Sequence, residues 1–121
     1  MIVFHPPGTF RTDSVSCVVR IPPGITDKQD LLRHIAAELK FPDYFGFNWA
    51  ALDECLADLS WLQGREVYMW HEDIPLSDEP TEARRYIQVL QGVLHEPASV
   101  QLRISFPETT KAELDALLGL A

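Results

Sequence analysis

Three carboxylates, Asp53, Glu54 and Asp58, fall on one side of a predicted helix, and no lysine or arginine occurs between Phe41 and Gly64. Acid–base hydrolysis of the glycosidase kind needs two carboxyl groups opposed across a cleft. Asp53 and Glu54 are instead neighbours in sequence, which argues against that chemistry. Like charges stacked on a helix repel one another by a few tenths of a kcal/mol per pair. Helix stability therefore does not call for them. A positive surface docking on them does.

The other reactive residue types assemble no catalytic set. The four histidines are scattered, and only His71 stands in a cluster, His71-Glu72-Asp73. One histidine with two adjacent acids is a weak metal signal, because ligands must converge in space, and a loop at a strand end is the plainer reading. Cys17 and Cys55 form no C-x-x-C pair, and Cys55 falls on an apolar face, so a reactive thiolate is not expected. Two buried free thiols in a reducing compartment fit better than a disulfide. There is no glycine-rich phosphate loop and no G-x-S-x-G elbow. The sequence points to no enzyme and no cofactor.

The element that must position the carboxylates is the stretch Phe41 to Trp61, a tight loop feeding an amphipathic helix. Trp49, Leu52, Cys55, Leu56 and Leu59 recur at the spacing of a buried stripe. The opposite face carries Ala50, Asp53, Glu54, Ala57 and Asp58. Asn48 is a favoured N-cap residue, and Gly46 is expected to permit the turn before it. Of the loop aromatics, Tyr44 is expected outward and Phe45 inward, with Phe47 open to either.

Around that core stretch, Val15–Ile21 is a β-branched run stopped by Pro22-Pro23-Gly24. Thr26 and Gln29 form a capping-box signature, followed by a helix burying Leu31, Leu32, Ile35, Ala36 and Leu39. Arg65–His71 reads as a second strand, and the polar His71–Glu79 connection has room for one short helical turn. Pro80 suits the start of a helix with the stripe Ala83, Tyr86, Ile87, Leu90 and Leu94. In the strand Ser99–Phe106, Val100, Leu102, Ile104 and Phe106 alternate with Gln101, Arg103 and Ser105, which predicts one wetter face. Ile2–Phe4 adds an edge strand or stays irregular. Thr110 with Glu113 suggests a capped terminal helix carrying Leu114, Leu117 and Leu118. Strand, two helices, strand, helix, strand is the grammar of right-handed parallel crossovers. The expected fold is therefore α/β, a three-stranded parallel sheet covered by helices, in one domain over residues 1–121.

Bulk properties narrow the function further. The chain has 121 residues, 46% hydrophobic, with formal net charge −8. That is enough apolar material for one core, and it excludes disorder. No 18-residue apolar run suggests a membrane span, and the start MIVFHPPGTF does not read as a secretory signal. Between Phe41 and Ala83 ten acids face Arg65 alone. The rest of the chain is nearly balanced. Direct nucleic-acid binding is disfavoured, since phosphates require the opposite sign. A basic protein partner is favoured, because complementary fields speed encounter and reject wrong partners. Oligomeric state is not legible in the sequence.

The series Pro42, Asp43, Tyr44, Phe45, Gly46, then Asn48, Ala51 and Leu52, then Glu54, Cys55 and Leu56 resembles the barstar family of intracellular ribonuclease inhibitors. The match is dense over about a sixth of the chain and extends weakly from Val15 to Phe106 in element order. The resemblance implies a cytoplasmic inhibitor of a ribonuclease or ribonuclease-like toxin, with no cofactor. It implies a contact surface of Tyr44, Gly46, Asn48, Ala50, Asp53, Glu54, Ala57 and Asp58, with Glu54 as the principal carboxylate entering a cationic catalytic pocket. This sequence departs from the pattern where Ala50 replaces an aspartate, Asp53 an aromatic, and Gly92 an acid whose nearest substitute is Glu96. A protein-interaction module that kept the fold and lost the ribonuclease is the alternative.

Overall fold

The structure, a computed structural model, describes residues 2–6, 16–62, 66–95 and 100–119. Four strands, β1 (Ile2–His5), β2 (Ser16–Ile21), β3 (Glu66–His71) and β4 (Gln101–Pro107), form one sheet in the order β1-β4-β3-β2. Every neighbouring pair is parallel. Among the described residues, four α-helices accompany them: α1 (Lys28–Glu38), α2 (Trp49–Asp58), α3 (Pro80–His95) and α4 (Lys111–Leu117). The three expected strands are thus present and parallel, and Ile2–His5 adds a fourth at the edge beside β4. Val15, Arg65 and Ser99, the expected strand starts, lie outside the described residues.

The sheet places Val19, Met69 and Ile104 side by side, fully buried at the centre of the core. The crossovers from β2 to β3 and from β3 to β4 step in the same direction across the sheet, and α2 and α3 pack against each other. The α2 stripe is buried as expected: Trp49, Leu52, Cys55, Leu56 and Leu59. Leu59 is not the last helical residue but the cap, held left-handed at φ 42°. Glycine is the usual occupant of that position. Here burial of the leucine side chain outweighs the backbone preference.

Several local expectations are corrected. The cap of α1 is Asp27, whose side chain accepts from the Gln29 backbone N–H at 2.8 Å; Thr26 stands one residue too early. Thr110 makes no side-chain cap to α4, and its hydroxyl donates back to the Pro107 carbonyl at 2.7 Å. The connection after β3 has turns and no helical turn. It is also less polar in effect than in composition, because Ile74, Pro75 and Leu76 are buried. Leu76 sits left-handed at φ 62° and its N–H donates to the Ile25 carbonyl. Ala36 and Leu94 are only half-buried; Val93 takes the core position, while Leu94 faces a groove with Ile2, Phe4, Leu114 and Leu118.

The wetter face of β4 is wet at Gln101 and Arg103 but not at Ser105, which is fully buried. The reason is β1. His5 lies over that face, its ring stacked on Trp70 at 3.6 Å and its Nδ1 within 2.9 Å of the Ser105 hydroxyl. A strand read as half-exposed becomes central once a fourth strand pairs beside it.

His71 is buried on the opposite face of the sheet, stacked on Phe106 at 4.0 Å. Its Nδ1 faces the Ser105 carbonyl at 3.0 Å and its Nε2 faces the Tyr86 hydroxyl at 2.6 Å. A carbonyl only accepts, so Nδ1 carries the proton and Nε2 accepts from Tyr86. Burial pushes the imidazole pKa down to about 3, against a smaller opposing pull from the Ser105 carbonyl. The ring is neutral and structural.

Candidate partner-binding site

Asn48 starts α2 with an extended backbone at φ −142°, and its Oδ1 accepts from the Ala51 N–H at 2.8 Å. Its amide donates to the Gly46 carbonyl at 3.4 Å, a long contact. Asn48 is exposed, but its polar atoms serve the cap. Gly46 does not make the turn by adopting a left-handed conformation, as its position suggests. Phe47 does, at φ 52°. A Cβ at Gly46 would make ordinary contacts, with Asn48 Nδ2 at 3.4 Å and the Ala51 side chain at 3.7 Å, so the loop has space for a small side chain there. A bulky residue held left-handed is uncommon and marks segments that the surroundings over-determine. Here the Gln29 side chain donates to the Phe47 carbonyl at 3.2 Å, and Phe45 packs against Phe47 at 4.8 Å and Phe41 at 4.9 Å. Phe45 points inward as expected, Tyr44 outward at 71% exposure, and Phe47 is also exposed.

On α2, Ala50, Asp53, Glu54 and Asp58 are exposed and Ala57 is half-buried. The helix is anchored by Trp49, whose indole N–H donates to Glu82 at 2.8 Å in the first turn of α3. Lys28 Nζ stands 5.2 Å over the same ring. That anchor fixes which face of α2 turns outward. Neither the Trp49–Glu82 bond nor the Lys28 contact is signalled by spacing, because they join residues far apart in sequence.

Of the ten acids between Phe41 and Ala83, four have partners in the fold, and six, Asp43, Asp53, Glu54, Asp58, Asp78 and Glu79, form no ion pair among the described residues. Glu66 pairs with Arg103, Glu72 with Arg20, Asp73 accepts from the Gly24 N–H, and Glu82 holds Trp49. His71, Glu72 and Asp73 therefore diverge into three different environments. Among the described residues no group of His, Cys, Asp or Glu is arranged to hold a metal.

The Tyr44 phenol is pushed above its ordinary value by lost hydration first, then by Asp58, Cys55 and Glu54. The side chain is largely exposed, so solvent screens these charges. Cys55, beneath them, is likewise raised, chiefly by burial and then by Asp58 and Glu54. It remains a protonated thiol. Cys55 is buried, Cys17 half-buried, and both are free. The loop and the helix face thus form one surface, with Tyr44 beside Glu54 and Asp58. Ala50 and Asp53 lie on its far side, where α2 meets α3 along Arg85, Gln88, Val89 and Gly92. Glu96 lies outside the described residues.

Among the described residues, the outer face of α2 thus carries three carboxylates without an ion pair, beside an exposed tyrosine. No helix among the described residues is long and apolar enough to cross a membrane. Comparison with curated proteins and with solved structures yields no significant match. A family model described as Barstar (barnase inhibitor) matches residues 18–106, from inside β2 to near the end of β4. The match takes in both crossovers and all of the acidic helix, and the chain belongs to the barstar family.

Proposed function

We propose that this chain is an intracellular protein inhibitor of a ribonuclease or ribonuclease-like toxin, folded as one domain, which blocks a basic active site by occlusion. The observation carrying this reading is the set Asp53, Glu54 and Asp58, exposed and without cationic partners among the described residues, beside exposed Tyr44. A carboxylate presented on a rigid helix offers a catalytic pocket the charge and acceptor oxygens of a substrate phosphate. Glu54 is central on the face and fills the pocket. Asp53 and Asp58 flank it. Tyr44 packs on the rim with Gly46, whose lack of a side chain admits close approach. Ala50 and Ala57 keep the helix surface low enough for the partner to reach the backbone.

Ala50, Asp53 and Gly92, where the family pattern offers an aspartate, an aromatic and an acid, support a target shaped differently from the usual one. They also support the second reading, an interaction module that binds a protein without inhibiting a nuclease. Activity separates the two. The chain is used to capture its basic partner from the source lysate, and the purified partner's RNA cleavage is then titrated. An inhibitor abolishes cleavage at one chain per nuclease. A partner that binds with equal tightness and keeps its activity, or that has none, establishes the module instead.

A further inference from the structure

Beside the acidic face, α2 and α3 enclose a groove of about 330 Å³ lined by Trp49, Ala50, Asp53, Arg85, Gln88, Val89 and Gly92. The α3 residues recur at i, i+3, i+4 and i+7, so a single side of that helix forms one wall. Gly92 has no internal reason to be glycine. It has no left-handed φ, and a Cβ placed on it would meet nothing within 4 Å. Glycine is the poorest former of helix interiors after proline. Ala50 across the groove carries only a methyl group, so the recess stays open at both walls.

Its charges select an occupant. Arg85 and Asp53 line the same groove, yet neither forms an ion pair among the described residues. Arg85 and Asp53 carry opposite charges, so the recess has no net charge with which to favour a cation or an anion. A neutral ring with a polar edge suits both. Guanidinium groups stack on aromatic faces, and a carboxylate accepts from a phenol or indole donor. Proteins that handle single-stranded nucleic acid stack bases on aromatic side chains, so rings of this kind stand exposed beside their binding channels. The groove is continuous with the acidic face through Asp53.

We propose that this groove receives an aromatic side chain, tyrosine or tryptophan, from the nuclease surface beside its active site. The proposal rests on the inhibitor reading, but the groove is testable without the nuclease. In 15N-labelled protein, 4-methylphenol, a free tyrosine side chain, should shift the amides of Asp53, Val89 and Gly92 saturably at millimolar concentration. Methylguanidinium and acetate should not. Gly92→Leu should remove the 4-methylphenol response while melting no lower than the parent. Glu54→Ala should keep it. With the captured nuclease, Arg85→Ala gives a test of sign. If Arg85 only opposes a basic partner, its removal tightens binding; if it stacks on a ring, its removal weakens binding about tenfold. No saturable response to 4-methylphenol, or tighter binding by Arg85→Ala, overturns the proposal. Loss of inhibition by Glu54→Ala, seen alongside either outcome, leaves the inhibitor reading standing.

Discussion

Replacing Glu54 by lysine should abolish association with the nuclease, and replacing it by alanine should speed dissociation by roughly 30- to 5,000-fold. The alanine variant leaves the partner's basic groups desolvated and unpaired. Truncating one member of a buried charge pair costs about 2–5 kcal/mol, a general range that the barnase–barstar complex itself helped to set. The lysine variant goes further, placing like charges together where water is scarce. Neither change should harm the fold. Glu54 is exposed, forms no ion pair among the described residues, and lies opposite the buried stripe of α2. Surface substitutions of that kind usually stay within about 0.5 kcal/mol. Asp58→Ala should cost less than Glu54→Ala, because Asp58 sits at the end of the helix beside exposed Tyr44. Dissociation rates for the three variants, measured alongside their melting temperatures, check both halves of this expectation.

The second large effect concerns stability and acid. His71 is neutral and fully buried, with a pKa near 3 against an ordinary 6.5. Below pH 6.5 the unfolded chain takes up a proton there that the folded chain refuses. Stability therefore falls as pH drops, by about 1.4 kcal/mol per unit from this one group, until roughly pH 3. His5, also depressed by burial, acts in the same direction. Asp73 opposes them in the carboxylate range, because burial raises its pKa and favours the proton in the folded state. The histidine effect is the larger. Replacing His71 and Tyr86 together by phenylalanine removes the titrating ring without leaving the Tyr86 hydroxyl stranded, a change that a buried polar pair tolerates better than loss of one partner. Urea denaturation at a series of pH values between 4 and 7 should show a steep fall for the parent and a much flatter profile for the double variant. Parallel profiles would mean that His71 is not the group responsible.

What is legible in the sequence follows the range over which each signal acts. Apolar periodicity is local and strong, so the stripe from Trp49 to Leu59 and the parallel strand order can be read from the chain alone. Caps are also local, but Asp27 and Thr26 are both favoured residue types one position apart, and only the direction of the chain entering α1 separates them. Ser105 departs from its pattern for a different reason. Its burial depends on β1, which pairs with β4 across some hundred residues and brings His5 onto Trp70. The division of the acids has the same origin. Composition registers ten negative charges, whereas pairing with Arg20, Arg103, Gly24 and Trp49 depends on tertiary distance. The strain at Phe47 is hidden because the neighbouring glycine offers a simpler explanation for the turn. The α2–α3 groove is defined by two side chains that are small, and periodicity is silent about what is missing.

The central claim is that the acidic face and the substrate compete for one pocket. The direct measurement is the apparent Kd of this chain for its nuclease in rising concentrations of a non-cleavable 2′-deoxy oligonucleotide that occupies the catalytic site. Mutual exclusion predicts an apparent Kd that climbs in proportion to the oligonucleotide, without a ceiling, and no ternary complex at any ratio. An apparent Kd that levels off, or a stable complex of all three molecules, would place the chain away from the active site and contradict inhibition by occlusion.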